Sequence, residues 1–465
     1  MSFRFITFLF LFLIANFGTI NAQVQPSNKR DLISVQYDTK LRQSIMTDDL
    51  LSLEYAIGWT KGDYNLWLNN KGEKKSTGIG KIGKAMLRLA KIGILDYPLA
   101  NNFRIINHEI NGHATTADEV NQDIKDISIP FKYYSWSFHY LTKPKLNVED
   151  ALAYVAFQSR PNYSYTYIDL EVSIAAGMNA SNVLRQNISN RVLSSGRMHY
   201  YQSMQNLLSH WDFWRYAIGS DYGANDDVSY YLSFVNARHV AIPDSLFKPV
   251  YEYKLIQLQK EKFKFVPDDI LKAGYVNVLG DPNFYISIYN VLWKYWIMGE
   301  PVTNYKKIGK ESFNFMPSVG AYLSPFGIEY FGQLNVSMKD RNYTLNVRKG
   351  NNDYGDKFFG IGIKALNFIQ TDKLVIGGSL DYFDQPTMTF GKALSSGEDP
   401  KSVETKGGQG LMAMVNLDYK LSAGNVPMYL TTQLGYKSTG FVPGQYIKAT
   451  PIISAGLAFD IQNKH

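Results

Sequence analysis

The strongest constraint on how this chain folds is a change of period at Ser312. From there onward apolar and polar residues alternate, the mark of strands with two unlike faces. In Gly327–Met338, Ile328, Tyr330, Leu334, Val336 and Met338 share one face, and Glu329, Gln333, Asn335 and Ser337 share the other. Similar runs begin at Arg341, Leu374, Gly410, Met428 and Ile447, and two less regular ones span Phe313 to Leu323 and Phe358 to Phe368. The eight runs are each long enough to cross a membrane at a tilt, and an even number of strands closes a barrel without a free edge. The polar faces carry small residues, which suits a lumen packed with side chains, so no pore is expected. Alternation does not say which face is outside: a soluble ligand-binding barrel of the lipocalin kind would bury its apolar face. The short connections near Lys339 to Asp340, Gln370 to Asp372 and Ser422 to Asn425 read as periplasmic turns, and Asp384 to Gly408 as an outside loop.

Composition narrows the remainder. Cysteine is absent, so disulfides, thiolate metal sites and cysteine nucleophiles are excluded. The net charge of +7 over 465 residues gives no footprint for nucleic acid. Mean hydropathy of -0.21 argues against a polytopic helical membrane protein. Residues 1–22 combine Arg4, an apolar run from Phe5 to Ile14 and a closing Ala22, the form of a secretory signal peptide. The segment 23–310 reads as mainly helical. Within it, the basic, glycine-rich Lys71 to Lys84 lacks phosphate-loop spacing and reads as a solvated loop. Asp281 to Gly299 reads as a buried helix, with a helix at the membrane interface as the second reading.

One constellation in the helical part carries chemistry. Residues 107–114 read NHEINGHA. A zincin helix places two histidines four residues apart on one face, with a glutamate beside the first. Here the spacing is five, which on an ordinary helix turns His113 about 140° away from His108. A π-bulge absorbs one residue and restores the shared face. The residue types suit hydrolysis: neutral imidazoles leave a metal's charge largely intact, and a carboxylate beside a bound water takes up its proton.

The expanded H-E-x-x-G-H pattern of His108, Glu109, Gly112 and His113 resembles the metal motif of the dipeptidyl peptidase III family of zinc peptidases, over these six residues. That resemblance implies Zn2+ held by His108 and His113, Glu109 as the catalytic base, and a glutamate on a later helix as third ligand. The family's second motif has no recognisable counterpart here. Glu171 is the first candidate, opening an apolar stretch whose Ala175, Ala176 and Gly177 permit close helix packing. Glu149 or Asp150 is the next choice and Glu119 the last. His199, His210, Tyr222 and Tyr230 are open candidates for an oxyanion donor, and Asp226 with Asp227 reads as a solvated acidic pair.

The expected fold class is thus α+β multidomain: a signal peptide (1–22), a mainly helical zincin-like domain (23–310) and an eight-stranded antiparallel transmembrane barrel (311–465). The expected protein is a zinc metallopeptidase anchored in a bacterial outer membrane, its helical domain facing the periplasm. Its partners would be outer-membrane lipid, a peptide or protein substrate and other envelope proteins. The rival is a non-catalytic barrel whose helical module binds partners in an envelope assembly.

Overall fold

A computed structural model describes residues 30, 32–60, 78–128, 153–219, 226–240, 260–305, 308–310, 313–338, 341–352, 354–398, 403–422 and 426–460. The expected signal peptide, Glu149, Asp150 and Tyr222 lie outside the described residues.

The chain begins with strand β1 (Leu32–Asp38) and helices α1 (Gln43–Thr60) and α2 (Gly78–Lys91). A short π-helix (Ile92–Asp96), α3 (Tyr97–Ile106), a second π-helix (Asn107–Ala114) and α4 (Thr115–Glu119) follow. Next come the hairpin β2 (Gln122–Ser128) and β3 (Tyr154–Ser159), the long α5 (Tyr167–Ser195), β4 (Arg197–His199), α6 (Tyr200–Gly219) and α7 (Asp227–His239). After α8 (Pro267–Leu279) and α9 (Pro282–Ile288), a third π-helix (Tyr289–Ile297) leads to β5 (Val302–Asn304) and β6 (Ile308–Lys310). The remainder is the antiparallel series β7 (Phe313–Ser324), β8 (Gly327–Met338), β9 (Arg341–Asn351), β10 (Lys357–Gln370), β11 (Leu374–Gly391), β12 (Val403–Ser422), β13 (Met428–Lys437) and β14 (Thr450–Asp460). Lys71 to Lys84, read as a loop, is helical from Gly78 onward.

The eight alternating runs are all strands, but they do not close into an eight-stranded barrel. They belong to a ten-stranded sheet ordered β1-β14-β13-β12-β11-β10-β9-β8-β7-β6, whose two ends do not meet. β1, from the segment read as helical, pairs with β14 over Leu32↔Asp460 to Asp38↔Ser454. The expected outside loop is shorter than read, because β11 and β12 continue as a ribbon to Gly391↔Val403.

The reason for non-closure is visible at the edges. Beyond its three pairs with β6, the free side of β7 would need a strand partner to close the barrel. Helix side chains take its backbone groups instead. Asn179 on α5 accepts from Leu323 N–H and donates to Leu323 C=O, both within 3.0 Å. Asn277 on α8 does the same at Ala321, Asn182 adds a bond to Ala321 C=O, and Arg185 donates to Val319 C=O. At the opposite edge, Ser34 N–H donates to Ser52 Oγ and Gln36 N–H to Asp49 Oδ1, both acceptors on α1. Asn179→Ala would leave two buried backbone groups without partners, each costing about 1–3 kcal/mol. A loss of about 2–5 kcal/mol is expected, read as a fall in thermal or denaturant midpoint.

The faces are inverted relative to a soluble barrel. Leu345, Val347, Ile361, Val415, Leu434 and Ile453 point outward and are exposed. Glu329, Gln333, Asn335, Thr344, Arg348 and Ser454 point inward and are buried. The inner face meets helices: Val183 of α5 clusters with Tyr322 and Phe331, and Thr344 Oγ1 lies 3.4 Å from Asn190 Oδ1. The helices therefore do not stand apart from the sheet. α5 runs along its polar side, and α1 and α5 occupy the gap between the sheet edges. Among the described residues no helix is long and apolar enough to cross a membrane, a statement that does not bear on strands.

Candidate metal centre

The motif forms the expected π-helix, Asn107–Ala114, with Thr115 N–H bonding five residues back to Ile110 C=O. Hydroxyls satisfy the carbonyls that the wider turn leaves: Thr115 Oγ1 donates to Asn111 C=O at 2.6 Å and Thr116 Oγ1 to Gly112 C=O at 2.9 Å. Thr47 Oγ1 and Asn111 Nδ2 both donate to Asn107 Oδ1, holding the start of the turn. The bulge brings His108 and His113 onto one face, their ring centroids 5.1 Å apart.

Glycines let α5 cross this turn at contact distance. A Cβ on Gly112 would lie 2.6 Å from Gly177 Cα, and a Cβ on Gly177 would lie 2.5 Å from Nε2 of both histidines. The small-residue stretch of α5 thus packs where the sequence places it, but Glu171 does not reach the centre. Its Oε1 accepts from Arg238 Nε at 3.1 Å, and Arg238 also donates to Pro325 C=O. Burial lifts the Glu171 carboxyl to about 7 against the opposing pull of Arg238. Glu119 is also committed elsewhere, accepting from the backbone N–H groups of Ile447 and Lys448.

Asp227 stands in the third position. Its Oδ2 lies 3.0 Å from His108 Nε2 and 3.2 Å from His113 Nε2. It occupies the first turn of α7, directly after Asp226, whose carboxylate caps that helix through Ser229 N–H. The acidic pair is therefore a cap and a candidate ligand rather than a solvated loop. His108, His113 and Asp227 form a group able to hold a metal ion.

Tautomer logic supports that role. His113 Nδ1 lies 2.9 Å from the Ser173 carbonyl, which can only accept, so Nδ1 carries the proton and Nε2 presents its lone pair. His108 Nδ1 lies 3.1 Å from Asp212 Oδ2, the carboxylate–histidine arrangement that orients metal ligands. Two Nε2 atoms aimed at one carboxylate oxygen repel it unless a cation or protons lie between. Ligands about 2.0–2.1 Å from tetrahedral zinc are separated by about 3.3 Å, close to the spacing found here.

Burial disfavours the His108 imidazolium, but Asp212 and Asp227 outweigh it and push His108 up to about 10. His113 is raised in the same way, mainly by Asp227. Burial would raise Asp212, yet Arg104 and His108 hold it below the usual carboxylate range. Arg104 Nη1 and Ser181 Oγ both bond this carboxylate, fixing it in turn. Asp212→Asn keeps the shape and loses the charge, so the affinity of this group for a divalent metal ion is expected to fall about 10–100-fold in calorimetric titration.

Glu109 is buried beside the pair. Burial raises its carboxyl above the ordinary range, opposed by His108 and His113. Tyr216 stacks on His108 with centroids 5.1 Å apart, its hydroxyl 3.4 Å from Nε2. Sequence reasoning missed both Asp212 and Tyr216. They lie four residues apart on α6, so one helical face carries both to His108. A carboxylate inside the aromatic stretch HWDFWRY was the available signal. His210 and His199 are not at the centre. His210 Nδ1 donates to Asn206 C=O and Nε2 faces Asp281, while His199 stacks on Tyr201. Tyr230 is close enough to Asp227 to feel its charge. The chain matches no family model, no curated protein and no solved structure.

Proposed function

We propose that this protein is a zinc-dependent metallopeptidase held at a bacterial outer membrane by its sheet. The observation that carries the enzymatic part is the convergence of His108 Nε2, His113 Nε2 and Asp227 Oδ2 beside a buried glutamate. Zinc held by those three atoms would supply Lewis acidity, drawing the pKa of a bound water toward neutrality and polarising a peptide carbonyl.

The chain's own groups do the rest. Asp212 and the Ser173 carbonyl fix both imidazoles with Nδ1 protonated and Nε2 forward. Glu109, its proton affinity raised by burial, accepts a proton from water and returns it to the leaving amine. Tyr216, stacked on His108, would donate to an oxygen that gains negative charge. The resemblance to the dipeptidyl peptidase III motif agrees with this division of roles for His108, Glu109 and His113. Asp227 in place of a glutamate, and from a helix start, distinguishes this chain.

The membrane part is supported by the outward apolar face of the sheet and its buried polar inner face, the arrangement that hydrocarbon requires. A soluble ligand-binding barrel has the reverse arrangement.

The test is hydrolysis of a mixed peptide library by the zinc-loaded protein. Glu109→Gln is expected to retain the metal and lose roughly 10²–10⁴-fold in turnover. A wild-type protein that binds zinc yet cleaves nothing would make the centre structural and favour the non-catalytic binding module.

A further inference from the structure

Helix α2 is amphipathic in the wrong sense for a soluble protein. Ile79, Ile82 and Met86, spaced by three and four residues, share one face and are 85%, 67% and 58% exposed. Arg88 lies on the opposite side, buried against the protein. The apolar stripe therefore faces away from the molecule. The helix carries Lys81, Lys84, Arg88 and Lys91 and no acidic residue.

A second apolar surface joins it. Arg88 donates to the carbonyls of Trp296 and Ile297 at 2.8 and 2.9 Å, tying α2 to the end of the π-helix Tyr289–Ile297. On that helix Leu292 and Trp293 are about half exposed and Ile297 is 40% exposed. The segment Asp281 to Gly299 is thus buried on one face only, through Ser287, Val291 and Tyr295, and its second reading, at an interface, fits the exposed face. Tyr285 and Tyr289 border the patch, the residue type that collects at headgroup level.

We propose that α2 and the π-helix Tyr289–Ile297 together form a surface that lies on an anionic lipid bilayer. The apolar side chains enter the acyl boundary while Lys81 and Lys84 meet the headgroups. Charge decides the occupant. A helix with an outward apolar stripe and only cationic charges of its own has the composition of an in-plane interfacial helix, and anionic lipid is its complement. This contact needs no insertion of the sheet, so the two can be separated by experiment.

Because the chain lacks cysteine, a single cysteine accepts a polarity-sensitive fluorophore at one defined place. Ile82→Cys, Val415→Cys on the sheet and the exposed Lys262→Cys as reference are each labelled in the full chain. Each is reconstituted into phosphatidylcholine vesicles with or without phosphatidylglycerol. In vesicles containing phosphatidylglycerol, the Ile82 probe is expected to shift to the blue. Acyl-chain spin labels should quench it several-fold more than the Lys262 probe. Adding Lys81→Glu and Lys84→Glu should return it to the reference level. An Ile82 probe as hydrated as the reference in both vesicle types overturns the proposal, even where Val415 is buried in lipid. A buried Ile82 probe with a hydrated Val415 probe would support this surface and contradict a transmembrane sheet.

Discussion

Gly177→Ala is expected to abolish tight zinc binding while leaving helix α5 intact. The added methyl carbon would lie 2.5 Å from both Nε2 atoms and 2.7 Å from His108 Cδ2, so the two rings could not keep their positions. The rings cannot swing aside cheaply. His108 is held at Nδ1 by Asp212 and His113 by the Ser173 carbonyl, and both side chains are buried. Alanine itself favours the helix by about 1 kcal/mol over glycine, so lost binding cannot be assigned to a weakened α5. The local overlap costs about 1–3 kcal/mol in stability, less than unfolding requires. Affinity for zinc should fall by at least about 100-fold, beyond the usual effect of disturbing a neighbour of a ligand. Calorimetric titration with zinc, paired with circular dichroism to monitor helix content, checks both halves.

The second large effect separates two carboxylates. Asp227→Ala should reduce zinc in the purified protein from about one per chain to near none, because it removes one of the three groups proposed to hold it. Glu171→Gln should leave the metal content unchanged. Glu171 is paired with Arg238 rather than with the histidines, and burial lifts its carboxyl to about 7. Elemental analysis of the two variants beside wild type distinguishes them, and loss of metal in Glu171→Gln with retention in Asp227→Ala would reverse the assignment.

How much of this was legible in the sequence follows from where the determining contacts lie. The strands from Phe313 onward were legible because alternation is local: Gly327–Met338 matches its run end to end, and Met428–Lys437 begins where its run begins. The side facing outward was not, since a period of two is symmetric between faces. β1 also alternates, with Ile33, Val35 and Tyr37 opposite Ser34, Gln36 and Asp38, but it is seven residues long and its partner is β14, more than 400 residues away. Failure of the barrel to close depends on Asn179, Asn277 and Arg185, single polar residues in helices that resemble any other buried amide or cation until the strand edge is in view.

The site divides in the same way. His108, Glu109 and His113 came from a spacing, and the extra residue forced the π-turn that the structure contains. Gly177 was legible as close packing, whereas Gly112 was legible only as part of the motif. The third candidate ligand was not, because Asp227 lies 114 residues from His113 and follows a capping aspartate that explains an acidic pair by itself. Asp212 was hidden for the opposite reason: it is buried in an aromatic helix, and its partners Arg104 and His108 come from elsewhere in the chain.

The most direct test of the centre is X-ray absorption spectroscopy at the zinc edge on the full-length protein loaded with one equivalent of zinc. The expected spectrum has two imidazole nitrogens at about 2.0–2.1 Å with oxygen completing the shell, and one imidazole fewer in His113→Ala. A shell without imidazole scattering, or a protein that retains no stoichiometric zinc, would contradict a metal centre at His108, His113 and Asp227.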